Sequence, residues 1–234
     1  MTAIQREIRP SGTLGLTVIR GEPVAVETPP PVDYARLRDV ARHGLPSSDC
    51  TDGTNRWRLG NVRNLWRGLR RVQTARLLNL PTVYGALWLD VIRANGDVEH
   101  LGLASLRVVT NSGAGLIVDC LDQTSALEAK YHGIGTGSTA EAAGDTALVT
   151  ELTTQYNPDS TRATGTFSQP SANVSRSIGT NTVDATAAIQ EHGIFTQAAT
   201  GGGVLLDRSV FSTVNLASGD SLQTTYDLTI AAGG

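Results

Sequence analysis

The sequence predicts a mainly β protein: a C-terminal antiparallel β sandwich preceded by a β hairpin, a basic amphipathic helix and an extended N-terminal arm. Three observations support this fold class. Apolar and polar residues alternate with period two over residues 182–190 and again over 222–230, which is typical of half-buried strands. The dipeptide Asn95-Gly96 marks a hairpin. Turn signals separate the other alternating runs, at residues 179–181, 201–203 and 218–220.

Composition limits the class of protein. The chain has 234 residues, of which 40% are hydrophobic but only 5% aromatic. Such a lean β composition is common in proteins that gain stability by assembling with copies of themselves. An apolar run of about eighteen residues and a signal-peptide pattern are both missing from the sequence. We therefore expect a protein that is made and folded in a cytoplasm and does not contact a membrane.

The two cysteines, Cys50 and Cys120, lie 70 positions apart and lack the spacing of metal ligands. A reducing cytoplasm disfavours a disulfide between them. We expect both to be buried thiols.

Residues 1–32 form the first predicted unit, an extended anchoring arm. Apolar patches at residues 14–19 and 24–26 precede three consecutive prolines at 29–31, which cannot donate backbone hydrogen bonds and hold the chain extended. A disordered tail is the alternative interpretation.

The second unit, residues 33–82, is an arginine-rich and partly helical docking region. The third unit, residues 83–234, is a β-rich domain.

A basic helix is the main feature of the docking region. Seven arginines and no acidic residue occur from Arg56 to Arg76. Apolar residues recur there at spacings of three and four, so the pattern predicts an amphipathic helix over residues 61–80 that ends before Pro81. Its buried face would consist of Val62, Leu65, Leu69 and Val72.

The polar face of this helix is the predicted functional site. An arginine guanidinium offers a rigid fork of donors to carboxylate or phosphate groups. We expect this face to dock on an acidic partner surface; the alternative is a solvated face whose arginines pair with Asp39, Asp49 and Asp52. Nucleic acid is the less favoured partner, because the whole chain carries a net charge of −3. The predicted docking residues are Arg56, Arg58, Arg63, Trp66, Arg67, Arg70 and Arg71.

Charge divides the chain into two parts. Residues 1–76 contain 13 arginines against 7 acidic residues, whereas residues 77–234 contain 5 arginines and Lys130 against 15 acidic residues. Such an asymmetry suggests different partners for the two ends.

The β-rich domain begins with a predicted hairpin over residues 83–110, and the sandwich covers about residues 125–234. Between them, residues 116–121 are apolar and are compatible with either a helix or a strand. Ser138 and Glu141 stand at the spacing of a capping box, which predicts a short helix after them.

Candidate catalytic and ligand sites are weak. Residues 133–137 have the spacing GxGxG, which lacks the dinucleotide-binding pattern and favours a tight turn with close backbone packing. His132 and His192, each followed by Gly-Ile, could form a metal site with Glu191 and Asp207. Strand-end histidines satisfied by backbone hydrogen bonds are the favoured interpretation. No serine occupies a GxSxG motif, and we expect no catalytic residues, no cofactor and no metal.

Five segments carry a resemblance to a known class of protein: YHGIGTG at 131–137, AAGDTALVTEL at 142–152, EHGIF at 191–195, LLDR at 205–208 and NLASGDSL at 215–222. In this order they resemble virion structural proteins of tailed bacteriophages. The resemblance covers about residues 97–234 and does not reach the arm or the arginine helix. It implies a non-enzymatic particle component, present in many copies and carrying a β sandwich.

The expected function is therefore that of a virion structural protein, made in the cytoplasm of a host bacterium. We expect it to dock through its N-terminal region on the tail or neck, as a fibre-like or adaptor-bound component; capsid decoration is the second hypothesis. The expected partners are other virion proteins (adaptor, portal, tail or capsid) and copies of itself. A third hypothesis is a carbohydrate-binding or hydrolytic module that recognises the host surface. Sugar platforms usually need exposed aromatic rings, and the last tryptophan is Trp88.

Overall fold

The computed structural model describes residues 61–124 and 128–232, together with the backbone of residues 3–8 and 14–19. Within these residues the chain forms two helices, α1 (Val62–Leu77) and α2 (Asn111–Leu121). The strands of the same part of the chain are β1 (Ala3–Ile8), β2 (Leu14–Ile19), β3 (Thr82–Ile92), β4 (Val98–Val108), β5 (Tyr131–Gly135), β6 (Ala163–Thr164), β7 (Thr166–Ser171), β8 (Val174–Thr182), β9 (Ala187–Phe195), β10 (Leu205–Leu216) and β11 (Ser221–Ala231).

Two antiparallel sheets confirm the predicted mainly β fold and form the sandwich. The five-stranded sheet has the order β4-β3-β11-β8-β7, and the four-stranded sheet has the order β10-β9-β5-β6. β1 and β2 pair in a separate two-stranded antiparallel sheet. β3 and β4 form the predicted hairpin, where Gly96 takes a positive φ of 89°. Because β3 also pairs with β11 from Thr82 to Ile92, the hairpin is part of the sandwich.

Aliphatic side chains fill the space between the sheets. Alternate residues of β3 project inward, and they belong to one cluster with residues of β5 and β9. Each such side chain contributes about 1.5–3 kcal/mol when it leaves water. The centre of this cluster includes Leu87, Leu89, Val91, Ile134, Ile189 and Ile194, all at most 1% exposed.

The two helices cover different parts of the sandwich. α1 packs on β3 and β4 from outside the five-stranded sheet. α2 follows β4; the Thr110 hydroxyl accepts a hydrogen bond from the Gly113 amide at its N-cap and donates to Leu205 O at 2.7 Å. The apolar stretch 116–121 is therefore helix. Neither of these two helices has the length and apolarity to cross a bilayer.

Some local predictions are wrong. The turn predicted at residues 179–181 lies inside β8, and the strand predicted over 182–190 is interrupted between β8 and β9. No helix follows Ser138 within residues 138–152. Glu141 instead pairs with the buried Arg107, and Asp145 Oδ2 accepts from the Ala142 amide at 2.9 Å. Glu141 thus contacts a distant strand, and Asp145 closes a local turn. Neither carboxylate caps a helix.

The prediction for the cysteines is also corrected. Cys120 lies in the last turn of α2 and is exposed, as are the neighbouring residues 118, 119 and 121. Cys50 lies outside the described residues.

Candidate functional site

The predicted basic helix exists as α1, and its apolar face holds it on the sandwich. Leu65, Leu69 and Val72 are at most 4% exposed and pack against residues of β3 and β4. Gly68 brings the helix backbone against Leu106 O, leaving no room for a Cβ atom. The three apolar residues are separated by four and then by three positions, which places them on one side of the helix and accounts for the single buried stripe.

Hydrogen bonds also connect the start of α1 to the second sheet. Asn64 Nδ2 donates to Val210 O at 3.2 Å. Asn61 Oδ1 accepts from the Ser212 amide and the Ser212 hydroxyl, each at 2.7 Å. Val210 and Ser212 lie at the irregularity in the pairing of β10 with β9. α1 is thus attached to both sheets, which gives its outer face a defined position.

The outer face of α1 is basic and exposed. Arg67, Arg70 and Arg71 are all exposed, and Trp66 is 43% exposed. The Arg70 guanidinium lies 5.3 Å from the centroid of the Trp66 ring, a cation–π distance. Among the described residues no carboxylate forms an ion pair with these three arginines. This arrangement can bind an acidic surface and can offer the indole ring as an apolar contact.

Arg107 shows that α1 creates a positive potential nearby. Burial lowers the pKa of Arg107, Glu141 opposes that change, and the positive charges of Arg71 and Arg67 lower the pKa further. The two exposed arginines therefore lie close enough to the β4 edge to repel its buried guanidinium.

The other predicted docking residues are only partly described. Arg56 and Arg58 lie outside the described residues, and of Arg63 the backbone within α1 is described. The alternative partners Asp39, Asp49 and Asp52 also lie outside that part of the chain. The structure brings together Trp66, Arg67, Arg70 and Arg71, and whether they bind a partner stays a prediction.

The residues considered for a metal site occupy different environments. β5 pairs with β9 so that Gly133 stands opposite Gly193, and this places both histidines on the inner face. Their near ring nitrogens, His132 Nδ1 and His192 Nε2, are 3.1 Å apart. Glu191 lies on the opposite face, where it bonds to Arg208. Within residues 61–124 and 128–232, no group of three histidine, cysteine or acidic side chains is placed to hold a metal ion.

The ring nitrogens of His132 form hydrogen bonds with side chains. The sequence predicted hydrogen bonds with backbone groups. Thr224 Oγ1 lies 2.7 Å from Nδ1, and Ser177 Oγ lies 2.8 Å from Nε2. Burial lowers the pKa of His132 to about 3. Burial and the neighbouring His132 lower the pKa of His192 well below its usual value. Both rings are therefore neutral. The sequence signal for this pair was the repeated His-Gly-Ile motif.

The glycine-rich segment 133–137 serves close packing and forms no turn at Gly133 or Gly135, which lie in β5. A Cβ atom on Gly137 would meet Glu191, whose Oε1 accepts from the Gly137 amide at 3.1 Å. Glu191 also accepts from the amides of Val149 and Thr150, at 3.0 and 2.7 Å. The carboxylate thus fastens the loop after β5 to the outside of the four-stranded sheet.

Comparison of the whole chain with protein-family models and with curated protein sequences found no match.

Proposed function

We propose that this protein is a non-enzymatic structural component of a tailed-phage virion, which docks through α1 and the preceding residues on an acidic surface at the tail or neck. The observation that carries the proposal is the exposed basic face of a helix fixed to a β sandwich. Arg67, Arg70 and Arg71 project from a helix whose opposite side is buried at Leu65, Leu69 and Val72. The resemblance of residues 97–234 to virion structural proteins supplies the biological setting.

Charge supports α1 as the docking side of the molecule. Residues 77–234 contain 15 acidic residues against five arginines and one lysine, so the basic face of α1 stands beside an acidic domain. Complementary charges steer association and select partners, while like charges across an interface cost several kcal/mol. A partner with an acidic patch would therefore approach α1 and be repelled by most of the sandwich.

Reversal of the three described arginines tests the docking face. The variant Arg67→Glu/Arg70→Glu/Arg71→Glu should fold, since exposed substitutions usually change the free energy of unfolding by only about 0.5 kcal/mol each. It should be lost from particles in a complementation assay with the phage that carries the gene. The matched control is the triple change to lysine, which keeps the charges and should largely retain incorporation. Normal incorporation of a folded glutamate variant would refute docking through α1.

Location tests the proposal as a whole. Gold-labelled antibody against the purified protein, applied to particles of that phage, should mark the tail or neck in negative-stain images. Label over the capsid surface would favour the decoration hypothesis. Particles without label, alongside antigen free in the lysate, would contradict a virion role.

A further inference from the structure

An apolar groove is open between α2 and one end of the five-stranded sheet. It has a volume of about 380 Å³, with Leu116, Ile117 and Leu121 of α2 on one side and Phe167, Leu228 and Ile230 of the sheet on the other. A second depression of about 720 Å³ adjoins it and shares Phe167, Leu228 and Ile230. The exposed fractions are 77% for Leu121, 48% for Phe167 and 49% for Ile230.

The groove exists because the sandwich is incomplete at this edge. β7 is the last strand of the five-stranded sheet in the described part of the chain, and the opposite sheet ends there with the two-residue strand β6. β7 is exposed throughout. An edge strand beside an apolar surface is a template for pairing with another strand, and natural proteins usually cover such an edge.

The β1–β2 hairpin has the complementary character. Its register places Ile4 beside Val18 and Ile8 beside Leu14. Because side chains alternate along strands, these four positions share one face with Leu16 and with Arg6, which stands opposite Leu16. The other face carries more polar positions, among them Gln5, Glu7 and Thr17. A two-stranded hairpin is at best marginally stable alone in water. We therefore expect its apolar face to pack against another apolar surface.

We propose that the β1–β2 hairpin covers the groove, with its apolar face packed on Phe167, Leu228 and Ile230 of the five-stranded sheet. The lengths match, since β1, β2 and β7 each have six residues, or about 20 Å of strand. The charges match as well. Arg6 is the charged position on the apolar face of the hairpin, and Glu128, which also pairs with Lys130, is the charged residue among the described residues that line the groove. The 41 residues from 20 to 60 can span more than about 100 Å, which allows docking within one chain or between copies.

Disulfide trapping to Cys120, which is exposed in the groove wall, tests the proposal in the full chain. In a Cys50→Ser background, cysteines are introduced singly as Leu14→Cys, Leu16→Cys and Val18→Cys on the apolar face, and as Thr17→Cys on the opposite face. Brief oxidation should cross-link at least one apolar-face cysteine several-fold more than Thr17→Cys. Non-reducing gels then separate trapping within one chain from trapping between two copies, and either result supports the docking.

A groove variant and a charge exchange provide the second measurement. Phe167→Asp should abolish the cross-link, whereas Val149→Asp, at an apolar position 55% exposed outside the groove, should not. Arg6→Glu should lower the yield, and Arg6→Glu with Glu128→Arg should restore it. Equal yields at residues 16 and 17, or no cross-link from any apolar-face cysteine in the folded chain, would overturn the proposal.

Discussion

At the scale of the residue, Asp207 is a carboxyl group buried between the two sheets. Burial raises its pKa to about 7, against the opposing effects of the Ser209 hydroxyl and the Arg107 charge. Its Oδ2 and the Tyr226 hydroxyl both lie beside Gly85, at positions that a Cβ atom there would contact. The absence of a side chain at Gly85 therefore makes room for two buried polar groups.

We predict that Asp207→Asn stabilises the protein more at pH 8 than at pH 4. The folded state keeps a proton that the unfolded state releases above its ordinary pKa of 3.8. The free energy of unfolding of the native chain therefore falls by up to about 1.4 kcal/mol per pH unit as the pH rises from roughly 4 to 7. Asparagine removes this loss. Urea unfolding at pH 4, 5.5 and 8 measures the effect, with the exposed Asp184→Asn as the control for charge. An equal effect at pH 4 and pH 8 would contradict the assignment.

At the scale of the element, two glycines on α2 have opposite roles. A Cβ atom on Gly113 would collide with Leu206 O, whereas one on Gly115 would meet nothing within 4 Å. The close approach at Gly113 lets α2 lie directly on β10, so that Leu116 is buried.

We predict that Gly113→Ala destabilises the protein by about 1–3 kcal/mol, because α2 must move off β10. Gly115→Ala in the same helix should be neutral or stabilising by up to about 1 kcal/mol, since alanine is the better helix former. Thermal and urea unfolding of the two variants provide the comparison. The packing account would fail if both substitutions had the same sign and size.

Glu191 determines the position of the loop after β5. We predict that Glu191→Gln costs about 3–5 kcal/mol, because it leaves the buried Arg208 without one of its carboxylates. Proteolysis should become faster within residues 137–150. The control is Glu99→Gln, which breaks an ion pair at the surface: the side chain of Glu99 is 42% exposed and that of its partner Arg93 is 36% exposed. This change should cost at most about 1 kcal/mol. If the two variants lost similar amounts of unfolding free energy, burial would not be the reason that the Glu191 contacts stabilise the protein.

At the scale of the whole molecule, the histidine pair joins the two sheets. His132 and His192 come from β5 and β9, and the partners of His132 include Thr224 of β11 and Ser177 of β8. Protonation of either ring would introduce a charge into the centre of the sandwich. Acid should therefore act on the whole cooperative unit.

We predict that stability falls as the pH decreases from about 6.5 towards 3. Both folded pKa values are lower than the unfolded value, so the unfolded state takes up more protons and gains up to about 1.4 kcal/mol per pH unit for each ring. Asp207 acts in the opposite direction between about 4 and 7, so the Asp207→Asn background removes this opposing contribution. In that background His192→Gln should reduce the slope of unfolding free energy against pH. An unchanged slope would exclude the pair as the cause.

Two sequence patterns of short range predicted their local elements correctly. Asn95-Gly96 predicted the turn between β3 and β4, and the spacing of Leu65, Leu69 and Val72 predicted the buried face of α1. Both signals depend on residues at most four positions apart, whose conformations and neighbours are set along the chain itself. The exposure of Arg67, Arg70 and Arg71 follows from the same spacing.

Only the tertiary structure decided which polar residues are buried and what they contact. The alternation over 222–230 predicted a polar outer face at Thr225 and Asp227, yet they are 1% and 2% exposed. Arg176, 51 positions away, bonds to Asp227 at 2.7 Å. The pairing of Gly133 with Gly193 and the contact of Glu141 with Arg107 likewise join segments far apart. Register between distant strands results from packing both sheets and their covering loops at once, and no local pattern contains that information.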